Sequence, residues 1–186
     1  MCRTVRQRLP EGRYRHSLGV ARTAERLARR YGASRAHARM AGVLHDLARH
    51  WNADELLAYA RQHGLRIDPS EAAMPVLLHA RIGADIARQE FGVTDPDLLA
   101  AIETHTIAAP GMSTLQKILF LADAVEPSRR FADRDRIEAA ALHSLDEGML
   151  ASIRSSLDYF RERGIRAAPQ TMEVYTKLVK SNGSPS

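Results

Sequence analysis

Apolar residues in this chain recur at three- and four-residue steps and seldom alternate, a spacing that lays a stripe along a helix rather than a face along a strand. The first stripe runs from near Gly12 to Tyr31 through His16, Val20, Ala24 and Leu27. Ser34 caps a second helix carrying His37, Met40, Ala41 and Leu44, with His45 and Asp46 toward its end. Asn52 with Glu55 forms a capping box for a third, stopped by Gly64, and Arg66 to Ser70 reads as a loop. Pro75 opens a fourth, with His79, Ile82 and Ile86 on its stripe and its end near Gly92. Asp95-Pro96 starts a fifth, which aligns Leu98, Ile102 and His105.

Ala108 to Met112 breaks the pattern, and Ser113 with Gln116 caps a sixth helix over Leu115 to Val125, closed by Pro127. A charged loop, Ser128 to Asp135, precedes helices near Arg136 to His143 and Asp146 to Arg163. Pro169 to Lys180 forms the last, and Ser181 to Ser186 reads as a frayed, disordered tail. The expectation is an all-α bundle of about eight helices in one domain, residues 1–180.

Composition narrows the class. A single cysteine, Cys2, excludes an intramolecular disulfide and suits a reducing compartment. No apolar run approaches the ~20 residues of a membrane span, and the Arg-rich start lacks the apolar segment of a secretory signal, so a cytoplasmic protein is expected. The net charge of +5 favours anionic partners. The basic residues are nevertheless scattered through helices without interleaved aromatics, which argues against nucleic acid.

Chemistry concentrates where the apolar pattern is violated. His45 and Asp46 stand in Ala41-Gly-Val-Leu-His-Asp-Leu-Ala48, where leucines would be expected. Burying an imidazole beside a carboxylate costs several kcal/mol unless something compensates, and a divalent cation does so directly. His16, His79, His105 and Asp123 interrupt other inward stripes. A lone histidine there is usually a satisfied core residue, but together these carry weight, because all fall on inward stripes and Asp123 has no arginine at helical spacing. Asp123, within Ile118-Leu-Phe-Leu-Ala-Asp-Ala-Val125, is a poor core residue and a good ligand. His37 could pack in the core, and His50, His63 and His143 sit at helix ends as ordinary structural residues. Nitrogen and carboxylate donors without thiolate suit Fe, Mn, Co, Ni or Zn and do not choose among them.

Arg13-x-x-His16-Ser-Leu-Gly, Ala41-Gly-Val-Leu-His45-Asp46, Leu78-His79-Ala, His105-Thr106, Pro110-Gly-Met-Ser113, Lys117-Ile-Leu-Phe-Leu-Ala-Asp123, Glu126-Pro-Ser-Arg129 and Pro169-Gln-Thr171 form an ordered set. With it the chain resembles the HD-domain superfamily of metal-dependent phosphohydrolases, and within that the bacterial symmetrical bis(5'-nucleosyl)-tetraphosphatase family, the YqeK type. The resemblance covers nearly the whole chain.

It implies an HD-domain helical bundle in which His16, His45, Asp46 and Asp123 hold one metal, iron in this family. His79 and His105 would complete a second position or touch phosphates, with Asp46 bridging. It further implies substrate contacts from Arg13, from Leu47, Ala48 and Arg49 after the HD pair, from Thr106 and Arg129, and from the segment of Arg166, Pro169 and Thr171, beside the ligand side chains themselves. Asp46, His79, His105 and Lys117 are the catalytic candidates, although Lys117 also reads as a surface lysine. Arg49 stands where the family often has lysine, and Ala168 where a histidine often precedes the proline.

The activity implied is hydrolysis of diadenosine tetraphosphate by a metal-activated water to two ADP, with Arg13, Arg49, Lys117 and Arg129 offsetting the phosphate charge. The partner is a dinucleoside polyphosphate or related nucleotide, and a homodimer is left open. Three other readings share the ligand pattern: an HD phosphohydrolase acting on a deoxynucleotide or guanosine alarmone, a di-iron oxygenase acting on a polyol, and a non-catalytic nucleotide-sensing module.

Overall fold

Helix α2 (Glu11–Arg30) lies against α3 (Arg35–Leu44) so closely that a Cβ on Gly42 would come within 2.5 Å of the Ala21 Cα. Small residues on both surfaces, Ala21, Ala24 and Ala28 facing Ala38, Ala41 and Gly42, are all buried and allow this approach. The computed structural model describes residues 2–182, which form eleven α-helices and one 3-10 turn, with no strand among the described residues. The remaining helices are α1 (Cys2–Arg8), α4 (Ala53–Gln62), α5 (Pro69–Ala73), α6 (Leu78–Phe91), α7 (Pro96–Thr104), α8 (Thr114–Val125), α9 (Arg134–His143), α10 (Leu145–Glu162) and α11 (Pro169–Asn182).

The expected caps form as the sequence suggests. Asn52 with Glu55 and Ser113 with Gln116 close reciprocal capping boxes, and the side chains of Ser34 and Asp95 each accept from a backbone N–H three residues on. Gly92 ends α6 with φ 66°, a conformation that disfavours residues bearing a Cβ.

The differences from expectation are local. Helix α1 lies in the Arg-rich start, where only Val5 supplies a buried anchor, too little periodicity to read. Helix α5 begins at Pro69 within the expected loop, Arg66 to Ser70, and runs on to Ala73, started by an Asp68–Glu71 capping box. Pro75 opens a 3-10 turn, Pro75–Leu77, and α6 begins only at Leu78. Helix α9 starts at Arg134, inside the expected charged loop. Helix α11 continues through Ser181 to Asn182, past the expected fray, and the rest of the expected tail, 183–186, lies outside the described residues.

One continuous apolar core links α2, α3, α6, α7 and α8, with Leu27, Leu44, Ile82, Ile102, Ile118 and Leu121 all but inaccessible. Helix α8 packs on α2, α7, α9 and α10, and α11 packs on α10. Helices α2, α6 and α8 carry His16, His79 and Asp123 within their spans, whereas His105 and the His45–Asp46 pair follow directly beyond α7 and α3. No helix among the described residues is long and apolar enough to cross a membrane.

Candidate metal centre

Four histidines enter the cluster by different local routes, yet all present Nε2 inward. His45 and His105 are the C-cap residues of α3 and α7, where helix-end carbonyls lack intrahelical partners. Their Nδ1 atoms donate to the carbonyls three residues earlier, His45 to Gly42 at 2.8 Å and His105 to Ile102 at 2.6 Å. His79, one residue into α6, donates likewise to Val76 of the 3-10 turn at 2.5 Å. His16 lies inside α2, where the carbonyls are already used by the helix. Its Nδ1 meets a carboxylate instead, Glu126 Oε1 at 2.9 Å.

Asp46 sits between these rings. Its Oδ2 lies 3.7 Å from His16 Nε2 and 3.5 Å from His45 Nε2, and its Oδ1 lies 3.4 Å from His79 Nε2 and 3.8 Å from His105 Nε2. Asp123, projecting from α8, places Oδ1 2.9 Å from His16 Nε2 and 3.8 Å from His45 Nε2. Six residues spread over more than a hundred positions therefore converge.

Burial governs the protonation of the cluster. It depresses His45 to about 4 and lowers His79, so both rings are neutral near pH 7. Burial also opposes charge on His16, but the adjacent Asp123 and Glu126 carboxylates outweigh it and raise this group above 6.5. For Asp46 and Asp123 burial favours the acid form, and the surrounding imidazoles, with Arg129 beside Asp123, overcome it and hold both well below the usual carboxylate range.

The donor set fits a divalent cation. His45 Nε2 is buried and makes no hydrogen bond, and His16 Nε2 faces only the Asp123 and Asp46 carboxylates, an arrangement costly in a merely structural cluster. Two groups, His16 with His45 and Asp123, and His45 with Asp46 and His105, each bring their donor atoms within 4.8 Å of one another. Nitrogen and carboxylate donors without thiolate are those of Fe, Mn, Co, Ni and Zn sites.

The cluster forms the floor of a cavity of about 460 Å³. Arg13, Arg49, Thr106 and Arg129 line it. Both carboxylates have arginine partners that helical spacing does not show: Arg13 Nη1 lies 3.1 Å from Asp46 Oδ2, and Arg129, from the turn after α8, pairs with the Asp123 carboxylate and donates Nε to the Asp123 carbonyl at 2.9 Å. Phe120, Ser152, Ser156 and Phe160 also line the cavity and were not anticipated. Ser152, Ser156 and Phe160 stand four residues apart on α10, a spacing that would have placed them on one face.

Several expected residues lie elsewhere. The side chain of Lys117 points away from the cluster and pairs with Asp146 at 2.6 Å, because on α8 it occupies a different face from Asp123. Leu47 and Ala48 bury their side chains in the apolar core, leaving only backbone to face a ligand. Arg166 is exposed on the α10–α11 connection, Pro169 begins α11, and Thr171 is buried against the Ala108 carbonyl at 3.4 Å, none of them lining the cavity. His37 is partly exposed beside Asp95 rather than packed in the core. His50, His63 and His143 remain outside the cluster.

The family model described as HD domain matches residues 13–128, from Arg13 to the turn after α8. The symmetrical bis(5'-nucleosyl)-tetraphosphatase of Bacillus subtilis is 34% identical over 96% of this chain and 95% of its own length. That of Staphylococcus aureus is 31% identical over 92% and 89%. A crystal structure of an HD superfamily hydrolase from Clostridium acetobutylicum, described as involved in NAD metabolism, superposes with a TM-score of 0.92 at 33% identity, covering 97% of this chain and 95% of that one.

Proposed function

Since the chain belongs to the HD domain family, and within it to the symmetrical bis(5'-nucleosyl)-tetraphosphatases, we propose that it hydrolyses diadenosine tetraphosphate to two molecules of ADP at the His16–Asp123 cluster. The observation that carries this is the pairing of a buried nitrogen and carboxylate cluster with three arginines around one cavity.

His16, His45, Asp46 and Asp123 would hold one divalent cation, and His79 and His105 with the other oxygen of Asp46 a second. Such cations supply Lewis acidity and a water acidic enough to attack phosphorus at neutral pH. Iron is the identity we favour, as the family resemblance implies. The same ligands accept manganese.

The chain's own groups then have distinct tasks. Arg13 and Arg129 are held by Asp46 and Asp123 with further N–H groups free to reach non-bridging phosphate oxygens, and Arg49 adds a third cation at the cavity wall. A tetraphosphate repels an incoming nucleophile, so this offset of charge bears directly on the barrier. Phe120 and Phe160 give the cavity an apolar wall against which a nucleoside can pack, and Thr106, Ser152 and Ser156 offer hydroxyls. Thr171, bonded to the Ala108 carbonyl, and the backbone near Arg166 and Pro169 would act only through main-chain or peripheral contacts. Lys117 has no part in this scheme. A nucleotide substrate accords with a cytoplasmic protein.

Chromatography of products from diadenosine tetraphosphate, with Mn2+ or Fe2+ supplied to the purified chain, tests the reading. ADP alone is the expected product. ATP with AMP would overturn the symmetrical cut, and turnover only of deoxynucleotides or guanosine alarmones in a parallel panel would overturn the substrate.

A further inference from the structure

Of the four histidines in the cluster, three are oriented by backbone carbonyls and one by a charged side chain, and the difference gives Glu126 a role. Glu126 is the C-cap residue of α8 and is 2% exposed, an unusual depth for a glutamate. Both of its oxygens act as acceptors. Oε1 receives His16 Nδ1 at 2.9 Å and also the Ser128 hydroxyl, while Oε2 receives the Ser128 backbone N–H at 2.9 Å. Room for this carboxylate comes from Gly19 on α2, one turn beyond His16, where a Cβ would lie 2.4 Å from Oε2.

We infer that Glu126 is a positioning residue for the metal centre: it fixes the His16 ring with the proton on Nδ1 and the Nε2 lone pair facing Asp123 and Asp46, and it brings a negative charge behind this one ligand. Carbonyls orient the other three rings and supply no net charge. His16 is therefore the most electron-rich nitrogen of the set, and the position it shares with His45 and Asp123 binds a cation more tightly than the one bordered by His79 and His105. The inference rests on reading the cluster as a metal site.

Replacement by glutamine separates this role from packing. Glu126→Gln keeps the volume but turns one acceptor into a donor. With the new amide nitrogen in the place of Oε2 it opposes the Ser128 N–H. In the place of Oε1 it opposes His16 Nδ1–H and drives the ring toward the tautomer with a proton on Nε2, which cannot ligate.

Mn2+ titration of the metal-free full chain by electron paramagnetic resonance should show the tighter class of site weakened by about 10- to 100-fold in Glu126→Gln, with the weaker class unchanged. In the Zn2+-loaded chain, long-range 1H–15N spectra should show His16 protonated at Nδ1 in the wild type and altered in the variant. A folded Glu126→Gln chain that binds Mn2+ within about twofold of wild type in the tighter class would overturn the inference. Failure of the wild type to take up Mn2+ at all would instead overturn the metal-site reading beneath it.

Discussion

Asp46 turns Oδ1 to His79, 3.4 Å from its Nε2, and keeps Oδ2 for the opposite side of the cluster, where His16 and His45 stand. A carboxylate split in this way can serve two cation positions, whereas His79 serves one. Asp46→Ala is expected to abolish both bound metal and hydrolysis, while His79→Ala lowers the metal count per chain and retains the share held by His16, His45 and Asp123. Elemental analysis beside circular dichroism distinguishes the two variants. Full metal content in a helical Asp46→Ala chain would contradict the bridging arrangement.

Arg129 reaches Asp123 from the turn after α8, and its guanidinium also borders the cavity. Removing it deletes a charge-assisted contact to phosphate of about 1.5–3 kcal/mol, or roughly 10- to 100-fold in kcat/KM. For Arg129→Ala, steady-state kinetics should show that loss with metal content at the wild-type level. Loss of metal instead would mean that the arginine supports the ligand geometry rather than the substrate.

Lys117 provides the opposite case. Its ammonium is paired with Asp146 on the far side of α8, at the surface. Lys117→Ala is expected to leave kcat and KM within about twofold of wild type and stability within about 1 kcal/mol, the usual worth of an exposed ion pair. A hundredfold fall in kcat would return this lysine to the reaction.

These contrasts show what could be read from the chain alone. Every ligand candidate was visible, because a histidine or aspartate on an inward stripe contradicts the apolar pattern around it, as Asp123 does within Ile118 to Val125. Most helix boundaries were visible for a similar reason, since Ser34, Asn52, Asp95 and Ser113 carry the chemistry of caps. Partnerships across the fold were not. Arg13 with Asp46, Arg129 with Asp123 and His16 with Glu126 depend on how α2, α3 and α8 meet, and no spacing within one helix encodes that. Lys117 was a candidate through the resemblance and also read as a surface lysine, and its pairing with Asp146 from another face of α8 accords with the second reading.

Metal uptake should release a proton from His16. Asp123 and Glu126 raise its affinity for protons above the ordinary 6.5, against the effect of burial, whereas His45 is pushed down to about 4 and is already neutral. A ligand must be deprotonated, so the cation competes with the His16 proton at and below the raised value and meets no competition above it. Mn2+ affinity is expected to rise with pH below that raised value and to level off above it. Titrations across that value test the sign. Affinity independent of pH would mean that His16 is neutral in the metal-free chain.

The contact between α2 and α3 links the fold to the site, since α2 carries His16 and α3 ends at His45. At Gly42 an added Cβ would lie 2.5 Å from the Ala21 Cα and 2.7 Å from its backbone nitrogen, so relief requires the helices to move apart rather than a side chain to turn. Overpacking of this kind costs about 1–3 kcal/mol. For a chain of this length each kcal/mol lowers Tm by roughly 2–4 °C. Gly42→Ala should therefore melt several degrees below wild type and also bind Mn2+ more weakly, because widening the pair shifts His16 relative to His45, whose rings now stand 5.3 Å apart. Thermal melts and Mn2+ titration of the same sample check both effects. A wild-type Tm would mean that the two helices do not approach as closely in solution.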